Sequence, residues 1–439
     1  MTPIRIRASR MRNPLLLALL LAGITPAYAQ QEGDHAALLQ QVAQLRAQQA
    51  QLARLQQDNE TALRALEARL GVATPAAQSA PVPIAAAPAA APIAAPAAGS
   101  DVASRLKISG DLRVRSQFEN STPNRTSGQV RGRLAAAFSV NEHISIGARL
   151  VTGNSDDPRS TDVQLSNWDD DLEVSLDQAY LKYASGAFQM HAGNIPQPFT
   201  RTELVWDGDV NPQGISANWT HALAGGGALR MNSLFFVIDE QATAADSTMA
   251  GAQLGYDSPT LGNWRFDASA AHYRYNIGST VGATATDWRT NLLRPDGSYL
   301  SDFHLNDVIV GANYAGWGDR WPLRVVGDYV RNTAARTHAD TGYGLDAVLG
   351  RAQQPGDWRL SYGHAMAEVD AVLTAFSQDN IGLGSNYRMH AVGVDYVPWP
   401  KTTLSAVWYR YRPLSARYAG QEDASDWLNR FRVALMVSF

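Results

Sequence analysis

The sequence predicts an all-β membrane protein, a transmembrane barrel of about sixteen antiparallel strands preceded by a short coiled-coil helix. Three observations carry this reading. From about Ser104 onward the chain alternates apolar and polar residues in short segments, the pattern by which strands present one face to lipid and the other to a wet interior. The connections between those segments are long and short in turn. The final segment, Phe431 to Phe439, carries large apolar groups at every second position and closes on an aromatic residue.

The elements follow in chain order. Arg5, Arg7, Arg10 and Arg12 precede the apolar run from Leu15 to Ile24, and Ala27-Tyr28-Ala29 supplies a small-x-small cleavage site, so residues 1–29 are expected to be a secretory signal peptide. The run is too short to span a bilayer, which takes roughly 20 residues. Removing the four arginines takes the formal net charge from −4 to −8, which argues against nucleic acid as a partner. There is no cysteine, hence no disulfide, thiolate metal site or acylated lipoprotein cysteine.

Leu38, Val42, Leu45, Gln49, Leu52, Gln56, Asn59, Leu63, Leu66 and Leu70 recur at alternating four- and three-residue steps, and Gly71 follows as a stop signal. A coiled-coil helix is therefore expected over 34–71, since a strict 3.5-residue repeat supercoils with partners. Residues 72–100 are mostly alanine and proline and read as a semi-rigid extended linker. The barrel is placed at 101–439.

In the first strand Leu106, Ile108, Gly110, Leu112 and Val114 alternate with Lys107, Ser109, Asp111, Arg113 and Arg115. The second sets Val130, Leu134, Ala136 and Phe138 against Arg131 and Arg133, and the third sets Ile144, Ile146, Ala148 and Leu150 against His143, Ser145 and Arg149. Long loops are expected near 119–128, 152–171, 195–213, 239–248, 276–304, 334–341, 367–386 and 413–425. Short turns are expected at Asn141-Glu142, Ser185-Gly186, 222–226, 258–263, 316–320, 353–357 and 397–401. Such segregation describes an up-and-down barrel with both termini on the short-turn side. Trp206, Trp219, Trp264, Trp288, Trp317, Trp321, Trp358, Trp399, Trp408 and Trp427 fall mostly near strand ends, where an amphipathic ring suits the water–lipid interface.

The alternation turns Arg113, Arg115, Arg131, Arg133 and Arg149 inward from three neighbouring strands. Like charges this close need water or opposed acids. The second long loop offers Asp156, Asp157, Asp169, Asp170 and Asp171, and the third offers Glu203, Asp207 and Asp209. No catalytic or metal-binding pattern accompanies them. The nine histidines are scattered singly, with no HExxH and no GxSxG, and Gly225-Gly226-Gly227 precedes no helix and reads as a turn. An enzyme is not expected, nor a cofactor.

Leu176-Asp177-Gln178-Ala179-Tyr180-Leu181-Lys182-Tyr183, Ala192-Gly193-Asn194-Ile195-Pro196-Gln197-Pro198-Phe199, and Asp370 to Asn380 leading into Gly384-Ser385-Asn386 and Val394-Asp395-Tyr396 carry a family resemblance. Residues 104–439 resemble the bacterial outer-membrane porins, more narrowly the putative-porin group. The layout is also similar to the phosphate-selective type that bears an N-terminal periplasmic coiled coil. That type depends on lysine-rich loops, whereas this chain has only Lys107, Lys182 and Lys401, so specific phosphate transport is not expected. The resemblance implies a homotrimer in the outer membrane, passing small hydrophilic solutes or ions, with the third long loop folded inward to narrow the lumen. There, Arg113, Arg115, Arg131, Arg133 and Arg149 would face Glu203, Asp207 and Asp209 across a constriction. Expected partners are membrane lipid, lipopolysaccharide and the barrel assembly machinery, the last through the strand ending in Phe439. The alternative is a structural anchor, in which the coiled coil reaches the cell wall and the barrel transports nothing.

Overall fold

Seventeen strands follow one another around a single closed sheet. The first six are β1 (Leu106–Asn120), β2 (Arg125–Ser139), β3 (Ile144–Thr152), β4 (Val163–Gln164), β5 (Val174–Ser185) and β6 (Phe188–Asn194). Next come β7 (Gln213–Ala222), β8 (Ala228–Asp239), β9 (Ser247–Asp257), β10 (Trp264–Asn276), β11 (His304–Tyr314) and β12 (Leu323–Asn332). The last five are β13 (Thr341–Gly350), β14 (Trp358–Ala367), β15 (Tyr387–Trp399), β16 (Thr402–Pro413) and β17 (Leu428–Ser438). This computed structural model describes residues 99–120, 124–153, 157–165, 172–419 and 426–439. The expected signal peptide, coiled-coil helix and linker up to residue 98 lie outside the described residues, as do Asp156, Asp169, Asp170 and Asp171. No helix among the described residues is long and apolar enough to cross a membrane; strands do the crossing.

Every neighbouring pair is antiparallel, and β1 pairs with both β2 and β17, so the sheet has no free edge. Sixteen strands build the wall. The two-residue β4 pairs with β2 at Gln129 and Val130, continuing the slot that β3 leaves when it stops at Thr152. Eight connections fall at one rim and seven at the other, and the longest all belong to the first, as the sequence predicts. Those at the first rim are L1 (121–124), L2 (153–173), L3 (195–212), L4 (240–246), L5 (277–303), L6 (333–340), L7 (368–386) and L8 (414–427); L1 is shorter than the 119–128 loop expected from the sequence, because β1 and β2 extend further toward each other. At one short turn both Gly225 and Gly226 take positive φ, 84° and 92°, a conformation that favours glycine. A short helix, α1 (Gly99–Arg105), precedes β1 where the sequence suggests extended linker and strand; the Arg105 Nε donates to the Ser139 carbonyl at 2.7 Å.

The outer face follows the pattern in the sequence. Leu112, Val114, Leu134, Ile146, Leu254 and Val310 stand exposed around the wall, as a lipid-facing belt requires. At the short-turn rim Trp264, Trp317, Trp321, Trp358 and Trp399 are exposed in an aromatic girdle.

Closure involves the last residue directly. The Phe439 amide donates to the Gly110 carbonyl at 3.0 Å, and the Gly110 amide donates back at 3.3 Å. A Cβ at Gly110 would sit 2.5 Å from the Arg133 carbonyl oxygen and 2.5 Å from Cζ of the Phe439 ring. Gly110→Val is therefore expected to lower the folded fraction seen as heat-modifiable mobility in unheated gels, at an overpacking cost of roughly 1–3 kcal/mol. A folded fraction equal to wild type would mean that the ring swings aside and the β2 backbone at Arg133 also gives way.

Candidate functional site

The inner wall is cationic where β1, β2 and β17 meet. Pairing places Arg113 opposite Arg131, Arg115 opposite Gln129 and Asp111 opposite Arg133, while Gln117 and Glu119 of β1 face Arg432 and Arg430 of β17. All these side chains point inward because they share one parity along their strands. Each guanidinium finds an acceptor, as a crowded set of like charges requires. Arg113 and Arg115 both reach Asp162 of L2 at 2.6 Å. Arg131 and Arg133 share Asp111, at 3.0 and 2.8 Å, and both approach Asp209 of L3, at 3.8 and 3.3 Å. Arg430 pairs with Glu119 at 2.7 Å, and Arg432 donates to Gln117 at 2.8 Å and to Asn380 of L7 at 2.9 Å. Arg149 stands apart from this group and is held by Asp177 of β5.

L3 folds into the barrel and faces that wall. Its backbone can lie inside because its apolar side chains are buried: Ile195, Leu204, Val205, Trp206 and Val210 are each 4 % exposed or less. The loop is clasped by L7. The Asp207 amide donates to the Phe376 carbonyl at 2.8 Å, the Gln378 amide to the Glu203 carbonyl at 3.1 Å, and Trp206 stacks on Phe376 with ring centroids 5.8 Å apart. L5 and L2 pin L7 in turn. Asn291 donates to the carbonyls of Val369 and Val372 and accepts from the Thr374 amide, and Arg159 donates to the Thr374 carbonyl. Between wall and loops lies a polar cavity of about 250 Å³, with Arg113, Arg115 and Asp162 on one side and Glu203, Asp207, Asp209 and Asp379 on the other. Two further cavities, of about 500 Å³ beside Pro196–Pro198 and about 340 Å³ beside Val210, also border L3.

The acids here differ in charge state. Burial raises the Asp207 carboxyl, and neighbouring Glu203 and Asp379 raise it further, to about 9. The Glu203 side chain is 45 % exposed to the lumen, but protein surrounds it at longer range, and that desolvation raises its carboxyl too. For Asp162 burial acts upward, but Arg115 and Arg113 outweigh it and hold the carboxylate below its ordinary range. Asp207 is thus neutral at pH 7 and gains its charge as pH rises through about 9. A unit charge 4 Å from a passing ion is worth about 1 kcal/mol in water, about fivefold in local ion concentration. Cation preference is therefore expected to rise between pH 7 and 10 in reversal-potential measurements, and Asp207→Asn should flatten that rise.

The structure brings Arg113, Arg115, Arg131 and Arg133 together with Glu203, Asp207 and Asp209, and leaves Arg149 outside the group. Three sequence expectations need correction. Trp206 is fully buried in the loop core and is no part of the girdle. The interior is not uniformly polar, since Phe236, Met249, Tyr273, Tyr275, Leu305 and Tyr387 point inward and are buried. L3 and L7 cover them, so apolar wall and apolar loops exclude water from each other. Asp157 of L2 does not join the arginine wall; it pairs with Arg159 of its own loop. L7 and Asp162 are the functional elements the sequence reading missed. The signal for L7 was Val369, Val372, Leu373, Phe376 and Ile381 within one loop, far more apolar than a water-facing loop needs.

A closed wall of sixteen antiparallel strands with a charged, loop-narrowed lumen defines a porin-type barrel, the class that crosses the bacterial outer membrane. Residues 117–292, from β1 into L5, match the profile of a family described as "Putative porin". Among solved structures, Pseudomonas putida OprB shares the fold at a TM-score of 0.52, with 10 % identity over 77 % of this chain and 95 % of that one. Vibrio cholerae OmpT, solved in a trimer form, is similar at 0.46, with 11 % identity over 76 % and 99 % of the two chains. Salmonella typhi OmpF, solved with daunomycin, is similar at 0.48, with 11 % identity over 76 % and 97 %. No curated protein matches the chain significantly.

Proposed function

We propose that the chain is an outer-membrane porin whose water-filled lumen lets small hydrophilic solutes or ions diffuse passively. The supporting observation is the opposition of the β1–β2–β17 arginines to the acids of L3 and L7 across a narrow polar cavity. Opposed charges set up a transverse field, which favours polar solutes that can align in it and disfavours apolar ones. Arg113, Arg115, Arg131 and Arg133 form the cationic side and Glu203, Asp207 and Asp209 the acidic side, where Asp207 adds its charge only as pH rises through about 9. Arg149 lines the lumen beyond the constriction.

Residues 1–29 act as the export signal, 34–71 as a periplasmic coiled coil and 72–100 as the linker to the barrel. The likeness to porins favours a homotrimer, with the heptad seam as a further contact between copies, and the strand ending in Phe439 is the segment that the assembly machinery engages. Purified protein in planar bilayers should show stepwise ion conductance, and liposomes containing it should swell in small sugars. Bilayers that never conduct above background would overturn the channel reading.

A further inference from the structure

The inner wall is not charged all the way round. The cavity of about 500 Å³ beside Pro196–Pro198 runs from L3 to the short turn at Gly186 and Ala187. Gln189 and His191 of β6, Asn218 and Thr220 of β7 and Asn232 of β8 line it, and no Asp, Glu, Lys or Arg among the described residues does. Its volume falls within the roughly 300–1,000 Å³ usual for small-molecule pockets. Strand pairing sets the amides in one row: Gln189 stands opposite Asn218, Asn218 opposite Asn232, and Asn232 opposite Gln253 of β9. All four share the inward parity, which the buried Ser216, Leu234 and Gln253 mark on their strands.

The backbone of L3 sets the direction of this ladder. The Thr200 amide donates to Gln253 Oε1 at 2.8 Å, and Gln253 Nε2 donates to the Thr200 carbonyl at 2.7 Å, which fixes the Gln253 amide. Gln253 Oε1 then accepts from Asn232 Nδ2 at 3.2 Å, and Asn232 Oδ1 accepts from Asn218 Nδ2 at 2.9 Å. The Asn218 Nδ2 also reaches the Pro198 carbonyl, at 3.5 Å. Every amide in the series donates the same way, so Asn218 Oδ1 is left as an acceptor with no donor among the described residues. Amides bonded in series polarise one another, which strengthens that terminal oxygen. On the L3 side of the cavity, Gln197 Oε1 and Nε2 are buried without a hydrogen-bond partner, a costly state for an amide.

A lining that offers donors and acceptors side by side without charge suits hydroxyl groups, each of which donates and accepts. Ions and zwitterions find their partners at the arginine wall instead. Pro196 and Pro198 add apolar ring faces for the C–H side of a polyol. We propose that this cavity binds neutral polyhydroxylated solutes, small sugars being that class, with Gln189 and Asn218 as the principal contacts. The inference deepens the channel reading and rests on it for a water-filled lumen that reaches the cavity.

The full-length protein, in a detergent without a sugar headgroup, is titrated with sucrose and separately with glycine betaine, a zwitterion that has no hydroxyl. Binding is read by saturation-transfer NMR, and conductance in planar bilayers is measured alongside. Wild type should saturate with sucrose, and Gln189→Ala with Asn218→Ala should raise the dissociation constant at least about fivefold, the scale of one lost neutral hydrogen bond. Heat-modifiable mobility reports folding; if the double variant fails to fold, Gln189→Ala alone serves, since Gln189 takes no part in the chain from Thr200 to Asn218. Equal sucrose titrations for variant and wild type overturn the proposal, and so does betaine binding as tight as sucrose. Loss of sucrose binding in Arg131→Gln with Arg133→Gln, but not in the cavity variants, would move the sugar to the constriction and overturn it as well. Saturable sucrose binding by a protein that never conducts would sink the channel reading and leave this site standing, whereas conduction without sucrose saturation would do the reverse.

Discussion

Replacing Arg131 and Arg133 together by glutamine is expected to move the channel several-fold toward cations. Both guanidinium groups share Asp111 and Asp209, so the double variant removes two positive charges and leaves two carboxylates without their partners. Each unpaired charge contributes about 1 kcal/mol to the potential felt by an ion 4 Å away in water, and more where the lumen wall lowers the dielectric. Glutamine keeps a hydrogen-bonding amide at each position, so the wall keeps its polar lining while losing its charge. Reversal potentials under a salt gradient measure the effect. An anion-to-cation preference identical to wild type would show that Arg131 and Arg133 only solvate the lumen.

Opening the L3–L7 clasp should have the largest effect on conductance itself. Trp206 packs against Phe199, Tyr273 and Tyr275 as well as Phe376, and Phe376 also meets Phe236 and Tyr275. Truncating a buried aromatic of this kind costs about 3–5 kcal/mol. The wall, closed by its own ladder of strand pairing, does not depend on the clasp. Trp206→Ala with Phe376→Ala is therefore expected to leave a folded barrel whose L3 amides exchange faster and whose conductance rises. Protection and conductance both at wild-type values would show that other contacts, such as Asn291 and Arg159 on L7, suffice to hold the loops.

How much of this was legible in the chain depends on which force sets each feature. Strand number, loop placement and outward parity were readable because lipid imposes a local rule: residues two apart share a face, and Leu112, Val114 and Leu134 must meet hydrocarbon. The inward turn of Arg113, Arg115, Arg131 and Arg133 follows from the same parity. Their partners were not readable at this level. Asp162 and Asp209 lie in loops, where no period constrains direction, and Asp157 looked equally eligible until its own Arg159 claimed it. Trp206 shows the same limit, since an aromatic near a strand end can face the interface or the loop core, and only its contacts decide between them.

By itself, then, the sequence determined the wall: about sixteen alternating segments, long and short connections in turn, and a last strand of alternating apolar residues ending on the aromatic Phe439. Those features arise from neighbours along one strand or one hairpin, where backbone geometry fixes the relation. Only the tertiary structure decided the lumen. L7 lies against L3 and Asn380 reaches Arg432 because strands and loops distant in sequence close around one axis. Such relations depend on three-dimensional packing and on long-range charge pairing, and no local period encodes either.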